Sequence, residues 1–160
     1  MRLYSFTMPI TYVSGDPLLT QAQVLAFGHN ARARTELGTL ETRLQDRFPA
    51  AFATYRKQCR GDRLKPGAFW VWREAKPGLA FLVIRESSVG ATRVRFVETA
   101  AMTLARDYRL HGLTSLAIAP LGTALEWPLL KSVLENWFSA SSLPVTLYEQ
   151  YLPGVAAETV

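Results

Sequence analysis

The chain has one cysteine, Cys59, and two histidines, His29 and His111, in 160 residues. A single thiol excludes an intramolecular disulfide, and two histidines cannot complete a cysteine-rich structural zinc site with it. No stretch approaches the ~20 uninterrupted apolar residues of a membrane span. A P-loop, a GxGxxG fingerprint and metal-ligand pairs at helical spacing are all absent. The start, MRLYSFTMPITYVSG, has neither a long apolar run nor a small-residue cleavage site. It does not read as a signal peptide, so a cytoplasmic location is expected. Acids are scarce beside bases, 13 Asp and Glu against 18 Lys and Arg, for a net charge of +5. That balance favours a polyanionic or phosphate-bearing partner. What is present is apolar: 49% hydrophobic and 19% charged residues, which excludes intrinsic disorder. The length suits one domain over residues 1–160, with its core over about 10–150 and short tails.

Periodicity orders the elements. Ile10 to Val13 is a short run stopped by Ser14-Gly15-Asp16-Pro17, and Val24 to Phe27 is a second, ending at Gly28-His29-Asn30. Continuous apolar runs between turn residues suit strands covered on both faces. Leu37, Leu40, Leu44 and Phe48 then recur at three or four, a helical stripe. Pro49 cannot continue that helix but can open the next, which runs to about Cys59 with Gly61 as a stop. Ala68–Trp72 and Leu79–Ile84 read as strands about an Ala75-Lys76-Pro77-Gly78 turn. Val94 to Tyr108 marks a third helix capped by Gly112, with His111 at its end. Leu113–Ala119 is a strand, Pro128 opens a fourth helix through Trp137, and Val145–Tyr148 closes the chain. The order β-β-α-α-β-β-α-β-α-β predicts an α/β fold: a three-layer α/β/α domain on a six-stranded, mostly parallel mixed sheet.

In such sheets ligands collect beyond the carboxyl ends of the strands. Asp16 suits hydrogen bonds from a base or ribose, and equally a turn cap. Asn30 suits a sugar hydroxyl or a turn. Gly122-Thr123 precedes a helix, where backbone N–H groups can face an anion or simply make a turn. His29 has no Ser-His-Asp or Cys-His spacing around it. Cys59 reads as buried rather than nucleophilic, and Trp70 and Trp72, on one strand face, as packing. Half of the 18 basic residues fall between Arg32 and Lys65. Arg56, Lys57, Arg60, Arg63 and Lys65 suit a phosphate-tracking patch or a solvated helix end.

Gly15-Asp16, the run Arg47–Cys59, Leu64-Lys65-Pro66-Gly67, Leu116–Gly122 and the strand ending Tyr148-Glu149 together resemble a macro domain. Within that family they resemble the DNA ADP-ribosyl glycohydrolase antitoxins. The resemblance covers most of residues 10–150 and implies a macro-like domain with an ADP-ribose cleft. It implies that Asp16 contacts the adenine amino group, that Asn30, with His29 beside it, meets the distal ribose, and that Gly122 and Thr123 open the diphosphate loop. Tyr148 would then lie on the adenine side. The chain departs from the family in its first loop, where Ala31-Arg32-Ala33-Arg34-Thr35-Glu36-Leu37-Gly38 replaces a glycine-rich segment. Its second loop keeps one glycine. At the antitoxins' catalytic lysine the residues at hand are Arg85 and Glu86.

The leading expectation is therefore a protein that binds ADP-ribose or ADP-ribosylated nucleic acid. If it is an enzyme, it is a glycohydrolase working through Asn30, Arg85 and Glu86, with Arg32 and Arg34 replacing loop backbone contacts. The alternative is a non-catalytic macro-fold module that meets nucleic acid or protein through its basic helical face. Neither reading calls for a cofactor, a metal or a membrane.

Overall fold

The computed structural model describes residues 9–159. The first eight residues, part of the stretch read against a signal peptide, lie outside the described residues. In chain order the elements are β1 (Ile10–Gly15), β2 (Val24–Asn30), α1 (Thr39–Arg47), α2 (Pro49–Cys59), β3 (Phe69–Trp72), β4 (Gly78–Arg85), α3 (Val94–Asp107), β5 (Leu116–Ile118), α4 (Trp127–Phe138), β6 (Val145–Tyr151) and β7 (Glu158–Thr159). The six expected strands and four expected helices all form. β7, two residues long, joins them at one edge. No described helix is long and apolar enough to cross a membrane.

The sheet order is β3-β4-β2-β5-β6-β1-β7. The five inner strands run parallel, while β3 and β7 are antiparallel to β4 and β1 at the two edges. Alternation along each strand explains the three layers. Val24, Ala26, Ala80, Leu82, Leu116 and Ile118 face α3 and α4 in one apolar cluster. Leu25, Phe27, Leu79, Phe81, Val83 and Ala117 face α1 and α2 in the other. Successive strand side chains point to opposite faces, so a strand covered by helices on both sides must be apolar throughout. Seven of the eight residues of β4 are buried. Trp70 and Trp72 are half-buried and pack against the α1/α2 cluster.

Leu37 differs from its expectation. It belongs to the helical stripe by spacing, yet it precedes α1 and is 94% exposed. His111 lies in the turn after α3, its ring against Phe69 and its carbonyl accepting from Arg73.

Candidate functional site

The carboxyl ends of β1, β2, β4 and β5 open on one edge of the sheet. At the end of β2 the pairing slips: His29 sits opposite Val83 but Asn30 opposite Arg85. Such a bulge re-aims the side chain that follows it. The Asn30 backbone is then fixed twice. Its N–H donates to His29 Nδ1 at 2.7 Å, and its carbonyl accepts from the Tyr55 hydroxyl at 2.8 Å. The amide side chain is fully used. Oδ1 accepts from the N–H groups of Arg32 (3.1 Å) and Arg34 (3.0 Å), and Nδ2 donates to the Arg34 carbonyl (3.0 Å) and Glu36 Oε1 (2.9 Å). One buried amide thus organises the first loop, including Ala33 at φ +53°, a conformation uncommon for a residue with a Cβ.

His29 is 3% exposed among Phe27, Phe52, Tyr55 and Phe81. Burial, with the charges of Arg85 and Arg56, pushes its pKa down to about 3. It is a neutral acceptor for the Asn30 N–H. Burial likewise raises the Tyr55 phenol well above its ordinary value.

Arg85 leaves the end of β4 into a cavity of about 230 Å³ that Glu36, Thr92, Gly122, Thr123 and Glu126 also line. Its Nη2 donates to Glu36 Oε1 at 2.5 Å and its Nη1 to Thr92 Oγ1 at 3.1 Å. Both partners of the Arg85–Glu36 pair are about nine-tenths buried. Arg85 Nε is buried and finds no acceptor among the described residues. A buried donor without a partner costs about 1–3 kcal/mol. Leu37 lines its mouth, and Val89 and Leu125, each about as exposed, stand on the adjoining loops.

The second loop turns at Gly122, φ +69°, where a Cβ would meet Glu126 Oε1 at 2.6 Å. Thr123 N–H donates to Glu126 Oε1 (2.8 Å), and Glu126 N–H donates to Thr123 Oγ1 (3.2 Å). This is a capping box, each residue satisfying the other at the entrance to α4. The carboxylate of Glu126 occupies the N–H that an anion would otherwise use.

Asp16 is completely buried. It caps the short 3-10 turn Pro17–Leu19 by accepting from Leu18 N–H at 3.0 Å. It also accepts from Arg43 (2.7 Å) and from Gly154 N–H (2.8 Å). Burial opposes its charge, but these three donors outweigh it and hold the carboxyl below its ordinary range. Tyr148 is 1% exposed, and burial, with Asp16 nearby, raises its phenol pKa. The tail after β6 covers this corner. Gly15 admits it, since a Cβ there would lie 2.8 Å from the Ala157 Cα.

A second concavity, about 570 Å³, lies on the other side of the first loop. Arg32, Arg34, Arg56, Arg60, Gly61 and Glu86 line it. Glu86 and Arg85, neighbours on the chain, therefore serve different cavities. Lys57, Arg63 and Lys65 are exposed around it without lining it. A cavity of about 930 Å³ runs from the start of β6 past Leu19 and Thr20 to Tyr148, Ala156 and Ala157, and no charged side chain among the described residues lines it. Of the residues singled out by sequence, Tyr148 lines it.

Sequence reasoning singled out Asp16, Asn30, Arg85 and Gly122-Thr123, and the structure gathers them along one edge. It missed Glu36, Arg43, Tyr55 and Glu126, which hold those groups. Only Glu126 had a local signal, the Thr-x-x-Glu spacing of a capping box.

No protein-family model matches the chain. Among curated proteins it is 20% identical over 179 residues to a DNA ADP-ribosyl transferase–DNA ADP-ribosyl glycohydrolase fusion protein of Thermosipho africanus, covering 96% of this chain and 46% of the relative. The chain thus spans about half the length of that relative. Among solved structures it resembles the macrodomain of Thermus aquaticus DarG (TM-score 0.79, 22% identity, 88% of this chain and 97% of that one). It also resembles the macrodomain of Mycobacterium tuberculosis DarG (0.77, 21%, 91% and 98%). A third likeness is to Thermosipho africanus DarTG in complex with ADP-ribose (0.82, 18%, 97% and 44%). The sheet order, the three layers and these superpositions agree: the chain has the macrodomain fold.

Proposed function

We propose that this domain binds an ADP-ribose unit carried on nucleic acid, in the cleft between the first loop and residues 119–126. The observation that carries the reading is Arg85, a guanidinium lining the cavity beside the second loop and held there by Glu36 and Thr92. A phosphate oxygen that displaced Glu36 would take its place on the planar guanidinium fork. The fold likeness to a protein solved with ADP-ribose supports the same ligand, and the net charge of +5 supports a nucleic-acid carrier.

The cleft's own carboxylates resist that ligand. Glu36 sits on both Asn30 and Arg85, Glu126 sits on Thr123 N–H, and Arg43 sits on Asp16. A ligand must displace them, so affinity is reduced by the fraction of molecules in which they have let go. This internal pairing favours a second reading, a module that has kept the fold and meets nucleic acid through its basic face alone.

Cleavage of the glycosidic bond is a separate demand on the site. It passes through a cationic sugar, which an enzyme must stabilise while assisting the leaving base or positioning water. The Asn30 amide is already committed on all sides, Glu86 lines the neighbouring cavity, and Arg85 stays protonated and cannot relay a proton. Binding with slow or no turnover follows.

Calorimetric titration with ADP-ribose tests the first reading, and absence of heat or thermal shift selects the second. Incubation with ADP-ribosylated DNA tests turnover. Release of free ADP-ribose at a rate abolished by Arg85→Ala or Glu86→Ala would overturn the account of the site given above.

A further inference from the structure

The two edges of the sheet are finished differently. At one, β7 pairs with Val13 and Ser14 of β1 and sets the exposed Glu158 on the rim. At the other, β3 is last in the order and pairs with β4 alone. Its residues, Phe69-Trp70-Val71-Trp72, include no proline and no charge, two of the devices that keep a sheet edge from pairing with another chain. All are half-buried. Phe69 and Val71 pack on the α3/α4 cluster, Trp70 and Trp72 on the α1/α2 cluster. The strand therefore offers apolar surface on both faces along with its backbone.

Which backbone groups are free follows from the ladder. The Ala68 carbonyl accepts from Val83 N–H at 2.9 Å, and successive residues of a strand turn their N–H and C=O groups to alternate sides. Trp70 and Trp72 thus face β4, while Phe69, Val71 and, just past the strand, Arg73 face outward. The main-chain groups of these three form no hydrogen bond among the described residues.

We propose that this edge pairs with the same edge of a second copy of the chain, antiparallel, joining two sheets across a two-fold axis. A two-fold contact needs a self-complementary patch, and the ladder needs outward residues opposite outward residues. With the axis at Val71, that residue exchanges both bonds with its own copy, and Phe69 exchanges with Arg73 on either side. Trp70 of each copy then faces Trp72 of the other at a non-hydrogen-bonded position, where facing side chains lie closest. Aromatic pairs across strands are among the stabilising ones. Arg73 meets Phe69 and Glu74 meets Ala68, so no like charges are opposed. An axis at Trp70 or Phe69 would instead set Gly67 against Arg73 or Val71, and the Gly67 N–H already donates to the Val83 carbonyl at 2.7 Å. An axis at Trp72 would set Phe69 against Ala75 in the turn. About five residues a side take part, few beside the roughly 20–30 of a standard interface, so the dimer is weak and reversible. No residue lining the cavity around Arg85 takes part, so the pairing stands or falls apart from ADP-ribose binding.

Sedimentation equilibrium of the full chain over a concentration series is the test, with reductant present so that a Cys59 disulfide does not mimic the dimer. The wild-type mass should climb from one chain toward two. Val71→Lys and Val71→Glu should each weaken the dimer about tenfold, since each sets like charges directly opposite. An equimolar mixture of the two should restore it, because position 71 meets itself. Circular dichroism checks that each variant is folded. Should either fail to fold, amide exchange on the wild type decides: Phe69 and Val71 should slow as concentration rises, while Trp70 and Trp72, already bonded to β4, keep their rates. A monomer at every concentration, a dimer that both variants leave intact, a mixture no stronger than its parts, or exchange at Phe69 and Val71 independent of concentration would overturn the proposal.

Discussion

His29 should make the fold sensitive to mild acid. In the unfolded chain a histidine takes its proton near pH 6.5, whereas the buried His29 refuses it until about pH 3. Between those values the unfolded state binds more protons than the native state, so stability rises with pH and is lost as pH falls. Each unit below 6.5 costs about 1.4 kcal/mol, which gives roughly 2–3 kcal/mol by about pH 4.5. That is a sizeable part of the 5–15 kcal/mol that typically holds a domain together. The structural cause is the 2.7 Å bond in which Nδ1 accepts from Asn30 N–H: protonating that nitrogen turns an acceptor into a donor facing a donor. His29→Phe keeps a ring among Phe27, Phe52, Tyr55 and Phe81 but leaves that N–H without a partner, costing about 1–3 kcal/mol at neutral pH. Its stability should then change little down to about pH 4.5, so the two curves converge on the acid side. Urea unfolding followed by tryptophan fluorescence at each pH measures both. An equal acid loss in wild type and variant, or none in the wild type, would refute the argument.

Glu36→Gln removes the charge that holds Arg85 and should raise affinity for ADP-ribose about tenfold, since a hydrogen bond to a charged group is worth roughly 1.5–3 kcal/mol; unchanged calorimetric affinity would mean Glu36 does not compete with the ligand. Asp16→Ala strands Arg43, Gly154 N–H and Leu18 N–H and should lower stability by roughly 2–3 kcal/mol, a loss visible as a reduced melting temperature with no ligand present. Glu126→Ala breaks the capping box and should cost about 1 kcal/mol, while leaving Thr123 N–H open to an anion, so thermal shift with ADP-ribose should increase even as the apo melting temperature falls.

The layers were legible because the central strands β2, β4 and β5 carry apolar runs on both faces, as Val24 to Phe27 shows, and because the helical stripes repeat at three and four. Leu37 fitted the stripe and still fell in the loop, since spacing alone does not mark where a helix begins. β7 was not legible: two residues carry no period. The site divides in the same manner. Strand-end positions such as Asn30 and Arg85 follow from element order, and the alternative that Asp16 caps a turn was also readable from its Pro-containing context. What those groups touch was not readable, because Glu36 meets Arg85 across 49 residues of chain and Arg43 meets Asp16 across 27. Such pairings are products of packing and leave no local pattern.

The tail over Asp16 turns the accessibility of that corner into a matter of kinetics. Residues 153–158 are exposed. The strap is tied down by Leu152 N–H to the Gly15 carbonyl, Asp16 N–H to the Val155 carbonyl, Gly154 N–H to the Asp16 carboxylate, and at its far end by the two-residue pairing of β7 with Val13 and Ser14. A segment held by a few hydrogen bonds, with little apolar burial, belongs to the end of the molecule that opens first. A group that reads Asp16 therefore waits for the strap to peel, and its association rate is capped by that opening instead of by diffusion. Amide exchange at Leu152 and Gly154 that outpaces the β6 interior would time the step directly.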